Sequence, residues 1–335
     1  MHFKNHTRNA FGKTDTPQNT IGNISAGFDR LGYDIRYTPF QVADHIHWSQ
    51  ICIDAINLQC QGKGLTLELA EASAYAELAE RFSGGLFFQH FEEQVRFNMP
   101  ALYSRQVNRF LNYEWLGGYV NSHQDNLRDD HLTIETLLRN QPRLTPGDIE
   151  TIKNSQMARH WVDGYSVLHD KTVKVPLNFI AYINASNGMA AGNTLEEALI
   201  QAACEVFERH TQIQIIKPEK SVPSIDKASL ENSRLKSMIT FYENENVEII
   251  LKDLSMEGRF PSIGVLFINH NLRPGRLEHK ILVPGVSFNT DEALSRCLTE
   301  VMQGRNTLKV PSPAFDRPVS HRSRVENLYL LFKCC

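Results

Sequence analysis

The sequence predicts an α+β fold in which mixed, largely antiparallel sheets carry acidic helices around one nucleotide site. Three observations lead to this prediction. An acidic helical phrase occurs twice at a spacing of 128 residues, strand-like segments lie between the helices, and a loop of small residues precedes the second copy. The recurrence indicates two pseudo-repeated halves that share the site.

The acidic phrase reads Thr-Leu-Glu-x-Ala, then six residues, then Glu-x-x-Glu-Arg, and it occupies residues 66–81 and 194–209. A looser copy at residues 291–305 reads Asp-x-Ala, six residues, Glu-x-x-Gln, with its arginine one place late. Residues three or four apart share a helix face, so each full copy places two carboxylates on one stripe. If buried, such a pair repels by ~3 kcal/mol at an effective dielectric of about 20 and needs protons, arginines or cations beside it.

Three helices that converge their acidic stripes would form an oxygen-rich cage suited to Mg²⁺. The candidate metal ligands are Glu77, Glu80, Glu205, Glu208 and Glu300. Glu197 joins them because it falls on the same stripe as Gln201 and Glu205. The alternative is that these glutamates form the solvated face of amphipathic helices, with Arg81 and Arg209 as local salt-bridge partners.

The bulk composition excludes some classes of partner. A chain of 335 residues is long enough for two domains or for one closely packed unit. Its net charge of -3 provides no basic field for nucleic acid or an anionic membrane, and no apolar run approaches the length of a membrane span. The six cysteines lack CxxC or zinc-site spacing and are expected to be free thiols. These features predict a cytoplasmic protein with no membrane contact and no direct nucleic-acid contact.

The remaining elements follow in chain order. Residues 1–12 are expected to be a flexible tail, followed by a helix over residues 20–31 that Gly32 ends. Gly62-Lys63-Gly64 is expected to turn the chain into the first acidic helix, which ends near Gly84. The predicted strands are residues 34–39, 51–58, 174–183, 247–252, 262–269 and 280–287, with a helix over residues 226–243. Residues 89–160 are polar and predict either a mobile insertion or a substrate-facing surface.

The loop of residues 184–193 is rich in small residues and opens the second acidic helix. Free backbone N–H groups at a helix N-terminus favour anions such as phosphate. The alternative is a plain helix entry, in which Thr194 and Glu197 form a capping box. No HExxH zinc motif and no Gly-x-Ser-x-Gly elbow occurs. Acids, arginines and a phosphate-binding loop together favour phosphoryl transfer.

Several of these segments resemble the YcaO family: SNGMAAGNTLEEA followed by CEVFERH, GKGLTLELAEASAYAELAERF, and ALSRCLTEVMQGR. Gly12-Lys13, with Thr20 seven residues after the lysine, also matches the opening segment of that family. The resemblance runs from about residue 10 to residue 316. It places the family domain at residues 13–316, without its last C-terminal strands, and a ragged end at residues 317–335.

The resemblance implies an enzyme that uses ATP and Mg²⁺ to activate a peptide-backbone amide. The six glutamates above would then hold magnesium ions. The implied catalytic residues are Glu205, Glu208, Arg209, Gln303 and Arg305. The implied nucleotide-binding residues are Lys13, Thr20, Ala190, Asn193, Glu197, Arg209 and Arg305, although Ala190 stands where related chains carry a serine.

The resemblance also implies partners. They are a peptide or protein substrate, with a small-subunit ribosomal protein as the candidate, a radical methylthiotransferase, and a second copy of the chain in a homodimer. Family members continue beyond the point that corresponds to Cys335, so the chain is expected to be a fragment or a shortened form. Three alternatives stay open: azoline formation in peptide natural products, a non-catalytic nucleotide-binding accessory protein, and a metal-dependent phosphohydrolase.

Overall fold

A computed structural model of the chain describes residues 3–9, 12–56, 58–83, 131–138, 144–154, 161–167, 169–176, 179, 187–216 and 221–303. The chain divides into two compact units. The first unit comprises Met1–Thr7 and Ala79–Met189, and the second comprises Arg8–Leu78 and Ala190–Cys335. The domain bounds expected from the sequence stay a prediction.

The described part of the chain contains helices and strands in a mixed order. The helices are α1 (Pro17–Arg30), α2 (Leu67–Arg81), α3 (Ile134–Leu138), α4 (Pro146–Lys153), α5 (Leu195–Ile216), α6 (Ser233–Asn244) and α7 (Thr290–Glu300). The strands are β1 (Arg36–Ala43), β2 (Ile46–Ile53), β3 (Leu58–Gly64), β4 (Trp161–Ser166), β5 (Lys171–Pro176), β6 (Ser224–Ile225), β7 (Val247–Asp253), β8 (Ser262–Asn269) and β9 (Lys280–Val286). None of the described helices is both long enough and apolar enough to cross a bilayer.

Helix α1 begins earlier than predicted because Thr16 caps it. The Thr16 hydroxyl accepts a hydrogen bond from the backbone N–H of Asn19, and Pro17 occupies the first helical position. At the other end Gly32 adopts a left-handed conformation with φ of 76°. The predicted stop at this glycine is therefore confirmed.

The first sheet of the second unit has the order β1-β2-β3, with antiparallel pairs throughout. The predicted strand at residues 51–58 is wrong, because β2 ends at Ile53 and a short 3₁₀ turn, Asp54–Ile56, separates it from β3. The predicted turn at Gly62-Lys63-Gly64 is also wrong, because these residues form the end of β3. A Cβ on Gly62 would lie 2.1 Å from the carbonyl oxygen of Ala70 and from the nitrogen of Ala74. The glycines let α2 pack directly on the strand.

The second sheet has the order β6-β7-β8-β9 and is antiparallel, which confirms the three strands predicted between residues 247 and 287. Helices α6 and α7 pack on this sheet, and their buried apolar residues form its core. The predicted helix over residues 226–243 is interrupted, since Lys227–Ser229 is a 3₁₀ turn and Asn232 caps α6.

The first unit contains α3, α4 and the antiparallel hairpin of β4 and β5. Ile134, Leu138 and Phe179 form a small buried cluster in it. The strand predicted at residues 174–183 corresponds to β5, which ends at Pro176. Within residues 89–160 the structure describes mainly α3 and α4, and the two interpretations of this segment stay predictions. Helices and antiparallel sheets in one chain confirm the predicted α+β class.

Candidate nucleotide and metal site

The acidic helices of the second unit are positioned by strands of its two sheets. Helix α2 packs on β3 through the glycines of that strand, and α5 contacts β8 and β9. Helix α7 contacts β2 and β3 of the first sheet as well as β8 and β9 of the second. Because α7 contacts both sheets, the third acidic phrase lies beside β3. This is the same strand on which α2, the helix of the first acidic phrase, packs.

Two predicted site residues bind the backbone of Gln61 on β3. Its backbone N–H donates to Oε2 of Glu77 at 3.1 Å, and its carbonyl oxygen accepts from Nε2 of Gln303 at 2.8 Å. The N–H and C=O of one residue in a strand point to the same side. Glu77 and Gln303 therefore meet at the outer edge of β3.

Lys63, two residues further along β3, forms an ion pair with Glu300 of α7. Both side chains are largely buried, with exposed fractions of 22% and 27%. The predicted metal ligand Glu300 thus has an ammonium group as its neighbour in this structure. Lys63 was not predicted as a site residue, since the Gly-Lys-Gly segment was interpreted as a turn.

On α5, Arg209 lies beside both carboxylates of the second acidic phrase. Its guanidinium is 3.4 Å from Oε1 of Glu208 and 3.7 Å from Oε1 of Glu205. This confirms the local ion-pair interpretation of Arg209. The side chain also provides a partly buried positive group next to two predicted metal ligands, and its role toward a nucleotide stays a prediction.

The carboxylate of Glu197 is held by the segment that precedes α1. Oε2 accepts from the backbone N–H of Thr14 at 3.0 Å and from its hydroxyl at 2.6 Å, and Oε1 lies 3.4 Å from Nζ of Lys13. Burial acts to raise the pKa of Glu197, but the hydrogen bonds from Thr14 and the charge of Lys13 outweigh it, so its pKa lies below the usual value. Glu197 is therefore ionised and partnered on both oxygens.

The entry to α5 differs from the capping box that the sequence allowed. The Thr194 hydroxyl accepts from the backbone N–H of Glu197 at 3.2 Å, which is the expected first half of the motif. The carboxylate of Glu197, however, turns to Lys13 and Thr14. Next to it, the Thr20 hydroxyl donates to Oδ1 of Asn193 at 2.8 Å. Four of the predicted nucleotide-binding residues, Lys13, Thr20, Asn193 and Glu197, thus lie together.

A further basic residue faces the acidic stripe of α5. Arg296 of α7 donates from Nη1 to Oε1 of Gln201 at 2.9 Å. Arg296 was not predicted as a site residue. Its position four residues before Glu300 puts it on the stripe of the third acidic phrase, and this spacing was the signal that could have identified it.

Two cysteines are buried among these charged groups. Cys204 on α5 and Cys297 on α7 are free thiols, as predicted, and are only 4% and 0% exposed. Burial raises the pKa of both thiols, and Glu208, Lys63 and Arg296 are the charged groups that act on Cys297. Cys297 is thus close to charged side chains from α5, β3 and α7 itself.

The other predicted site residues are placed as follows. Glu80 and Arg81 lie at the end of α2, in the first unit, and Ala190 is the first residue of the later segment of the second unit, within the loop of residues 184–193. Arg305 lies outside the described residues. Among the residues that the structure describes, no three acidic, histidine or cysteine side chains are grouped closely enough to hold a metal ion. Lysine and arginine groups contact the acids instead.

The donor set nevertheless suits the predicted ligands. Carboxylate and amide oxygens are what Mg²⁺ prefers, and Lys13, Lys63, Arg209 and Arg296 offer charged donors of the kind that bind phosphate. A family model described as YcaO cyclodehydratase, ATP- and Mg²⁺-binding, matches residues 61–331. The chain belongs to the YcaO family. This confirms the resemblance and, at the level of the family, the predicted cofactors ATP and Mg²⁺.

The chain also resembles individual proteins in sequence and in fold. The ribosomal protein S12 methylthiotransferase accessory factor YcaO of Escherichia coli is 28% identical over 332 residues, covering 95% of this chain and 54% of that protein. The chain spans about half the length of the curated relatives it matches. Its fold resembles a heterocyclase solved with substrate and cofactor, with a TM-score of 0.64 and 17% identity over 95% of this chain and 44% of that one. It also resembles YcaO from Methanopyrus kandleri bound with AMPPCP and Mg²⁺, with a TM-score of 0.59 and 19% identity over 96% of this chain and 74% of that one.

Proposed function

We propose that the chain is an ATP- and Mg²⁺-dependent enzyme domain that phosphorylates a backbone amide of a peptide or protein. The observation that supports this proposal is the pairing of acidic with basic side chains in the second unit. Glu197, Glu208 and Glu300 each lie beside a basic side chain, which is Lys13, Arg209 or Lys63 respectively. Such a site can neutralise both the phosphates and the metal ions of a nucleotide, which is the main requirement of phosphoryl transfer.

In the proposed reaction the amide oxygen attacks the γ-phosphorus of ATP. The new O–P bond forms as the bond to the β-phosphate oxygen breaks, and ADP leaves. A nucleophile adds to the amide carbon before or during this step and loses its proton to solvent. Phosphate then departs with the former amide oxygen as a double bond forms from that carbon to nitrogen or sulfur, and the proton on that atom is lost. Mg²⁺ would be held by Glu77, Glu197, Glu205, Glu208 and Glu300 and would neutralise phosphate charge, while Lys13, Lys63, Arg209 and Arg296 would donate to phosphate oxygens.

A role in the methylthiolation of a small-subunit ribosomal protein, with a methylthiotransferase as partner, is the substrate assignment that we favour. It is supported by the E. coli relative, which is named a ribosomal protein S12 methylthiotransferase accessory factor and is 28% identical to this chain. That name also describes an accessory factor, which supports the second candidate, a non-catalytic protein that binds nucleotide for its partner's use. We also propose azoline formation as an alternative activity and a homodimer as the assembly. Only membership of the family supports these two proposals.

The test is calorimetric titration of the chain with ATP in the presence and absence of Mg²⁺. We expect Mg²⁺-dependent binding that Glu205→Gln and Glu77→Gln both lose while their circular dichroism spectra are unchanged. Glu243→Gln, in an exposed ion pair of α6, serves as the matched control and should bind like wild type. Absence of binding by the folded wild-type chain would contradict the proposal.

Catalysis is separated from an accessory role by phosphate release. With a peptide substrate present, the wild-type chain should release phosphate and Glu205→Gln should not. If the Glu205→Gln variant releases no phosphate but still supports methylthiolation in a reconstituted system, the accessory role is correct. A rate of ATP hydrolysis that no added peptide or protein changes would instead indicate a phosphohydrolase.

A further inference from the structure

The segment before α1 contributes a residue to the site that neither the sequence motifs nor the family match singles out. Thr14 directs both of its donors, the backbone N–H and the hydroxyl, to the same oxygen of Glu197, at 3.0 and 2.6 Å. The two residues are 183 positions apart in the sequence. Glu197 is only 9% exposed, so water has little access to compete for this oxygen.

The neighbouring threonines have other partners. Thr16 caps α1 through the N–H of Asn19, and Thr20 donates to the Asn193 side chain. Thr194 accepts from the backbone of Glu197 and so does not orient its carboxylate. Among the described threonines near the site, Thr14 is therefore the one whose donors meet the carboxylate itself.

We infer that Thr14 is a positioning residue, which fixes Oε2 of Glu197 and thereby presents Oε1 to the cation at the site. In this structure Oε1 lies 3.4 Å from Nζ of Lys13. With Oε2 committed to two donors, Glu197 would offer a single oxygen to a magnesium ion, and Lys13 would then be available to bind a phosphate. This inference rests on the proposed function, because it assigns Thr14 a role toward Mg²⁺–ATP.

The experiment compares three substitutions by calorimetric titration with Mg²⁺–ATP. Thr14→Val keeps the branched shape and the backbone N–H but removes the hydroxyl, and it should weaken Mg²⁺–ATP binding by about 10- to 100-fold, as loss of a hydrogen-bond partner of a metal ligand does. Thr14→Ser restores the hydroxyl and should recover wild-type affinity. Thr16→Val removes the cap of α1 from the same segment and should leave the affinity unchanged.

A second measurement tests the contact in the chain without nucleotide. Urea unfolding of Thr14→Val, Glu197→Gln and the double variant gives their coupling. We expect the two substitutions to be clearly non-additive, because Thr14→Val removes the hydroxyl that donates to Glu197 and Glu197→Gln removes the negative charge that strengthens this hydrogen bond. Additive effects would mean that Thr14 does not hold Glu197 in solution and would overturn the inference.

The outcomes separate this inference from the proposed function. If the wild-type chain binds Mg²⁺–ATP and Thr14→Val binds equally well, or if Thr14→Val and Thr16→Val lose the same affinity, the positioning role is wrong and the proposed function stands. If the folded wild-type chain binds no Mg²⁺–ATP, the proposed function fails and the role of Thr14 toward the ion fails with it. Coupling in the unfolding experiment would then identify Thr14 as an anchor of its own segment alone.

Discussion

Lys63 of β3 and Glu300 of α7 form an ion pair that links the first sheet to the third acidic helix. Lys63→Met removes the ammonium group but keeps most of the apolar stem, so it leaves the partly buried Glu300 carboxylate without this partner. We expect the free energy of unfolding in urea to fall by about 1 kcal/mol. The affinity for Mg²⁺–ATP should also fall, since a positive group is lost from the proposed phosphate site.

The matched control is Lys227→Met, which removes an ion pair with Glu243 whose side chains are 43% and 40% exposed. Exposed pairs contribute little, so the free energy of unfolding should change by no more than about 0.5 kcal/mol. Nucleotide affinity should be unchanged. Equal affinities for Lys63→Met and wild type would place Lys63 outside the nucleotide site.

Gly62→Ala should separate α2 from β3. The added methyl carbon would lie 2.1 Å from backbone atoms of Ala70 and Ala74, which cannot move without shifting the helix. We expect a loss of about 3 kcal/mol in the free energy of unfolding. Displacing α2 also breaks the bond between Glu77 and Gln61, so Mg²⁺–ATP affinity should fall as well.

Gly22→Ala is the matched control, because the same replacement of glycine by alanine should here raise the free energy of unfolding. Gly22 lies inside α1 and a Cβ there would meet nothing within 4 Å. Alanine favours a helix interior over glycine, so this variant should be more stable by about 0.5–1 kcal/mol. If Gly62→Ala were also neutral or stabilising, the close approach of α2 to β3 would not exist in solution.

The stability that Glu197 provides should depend on pH. Its pKa in the fold lies below the usual glutamate value of 4.5, because the bonds from Thr14 and the charge of Lys13 favour the ionised form more than burial disfavours it. A depressed pKa gives stability that is fully present above the unfolded value and is lost as the pH falls through the folded value. The difference in unfolding free energy between wild type and Glu197→Gln should therefore shrink from pH 7 to below pH 4.5. A difference that stays constant over this range would show that Thr14 and Lys13 do not favour the ionised form.

Tyr242→Phe tests how α6 supports α7. The buried Tyr242 hydroxyl donates to the carbonyl oxygen of Leu298, two residues before Glu300. Removing the hydroxyl leaves that carbonyl without this donor and should lower the free energy of unfolding by about 1–2 kcal/mol. Thr240→Val removes an exposed hydroxyl on the same helix and should cost no more than about 0.5 kcal/mol. Equal losses would contradict the role given to the buried bond.

The sequence supported the acidic helices and the second sheet well because both depend on local periodicity. The strands after residue 247 are short apolar runs bounded by polar and turn residues, and they were located within about one residue. The first sheet was harder. Gly62-Lys63-Gly64 has the composition of a turn, but its glycines are needed because α2, the helix that follows, packs on them. Such a contact between segments overrides local preference and leaves no local signal.

The acidic residues of the candidate site could be predicted from the sequence, whereas most of the residues that contact them could not. Glu205 and Glu208 recur at the spacing of the first phrase, so repetition identified them. Thr14 and Lys63 occur in no repeat, and their roles follow only from contacts with Glu197 and Glu300 far along the chain. Glu197 was expected either in a capping box or on the metal stripe. The structure places its carboxylate on Thr14 and Lys13, which neither expectation included, and its role as a metal ligand stays a prediction.

The contacts of Glu77 and Gln303 with Gln61 have a consequence for self-association. In the described part of the chain β3 is the last strand of its sheet, and an unpaired strand edge can recruit a strand from another molecule. Glu77 and Gln303 occupy the N–H and the C=O that such a strand would use. The side chains proposed to serve catalysis therefore also protect the folded chain from edge-to-edge aggregation, so variants that remove them should be watched for loss of solubility as well as loss of activity.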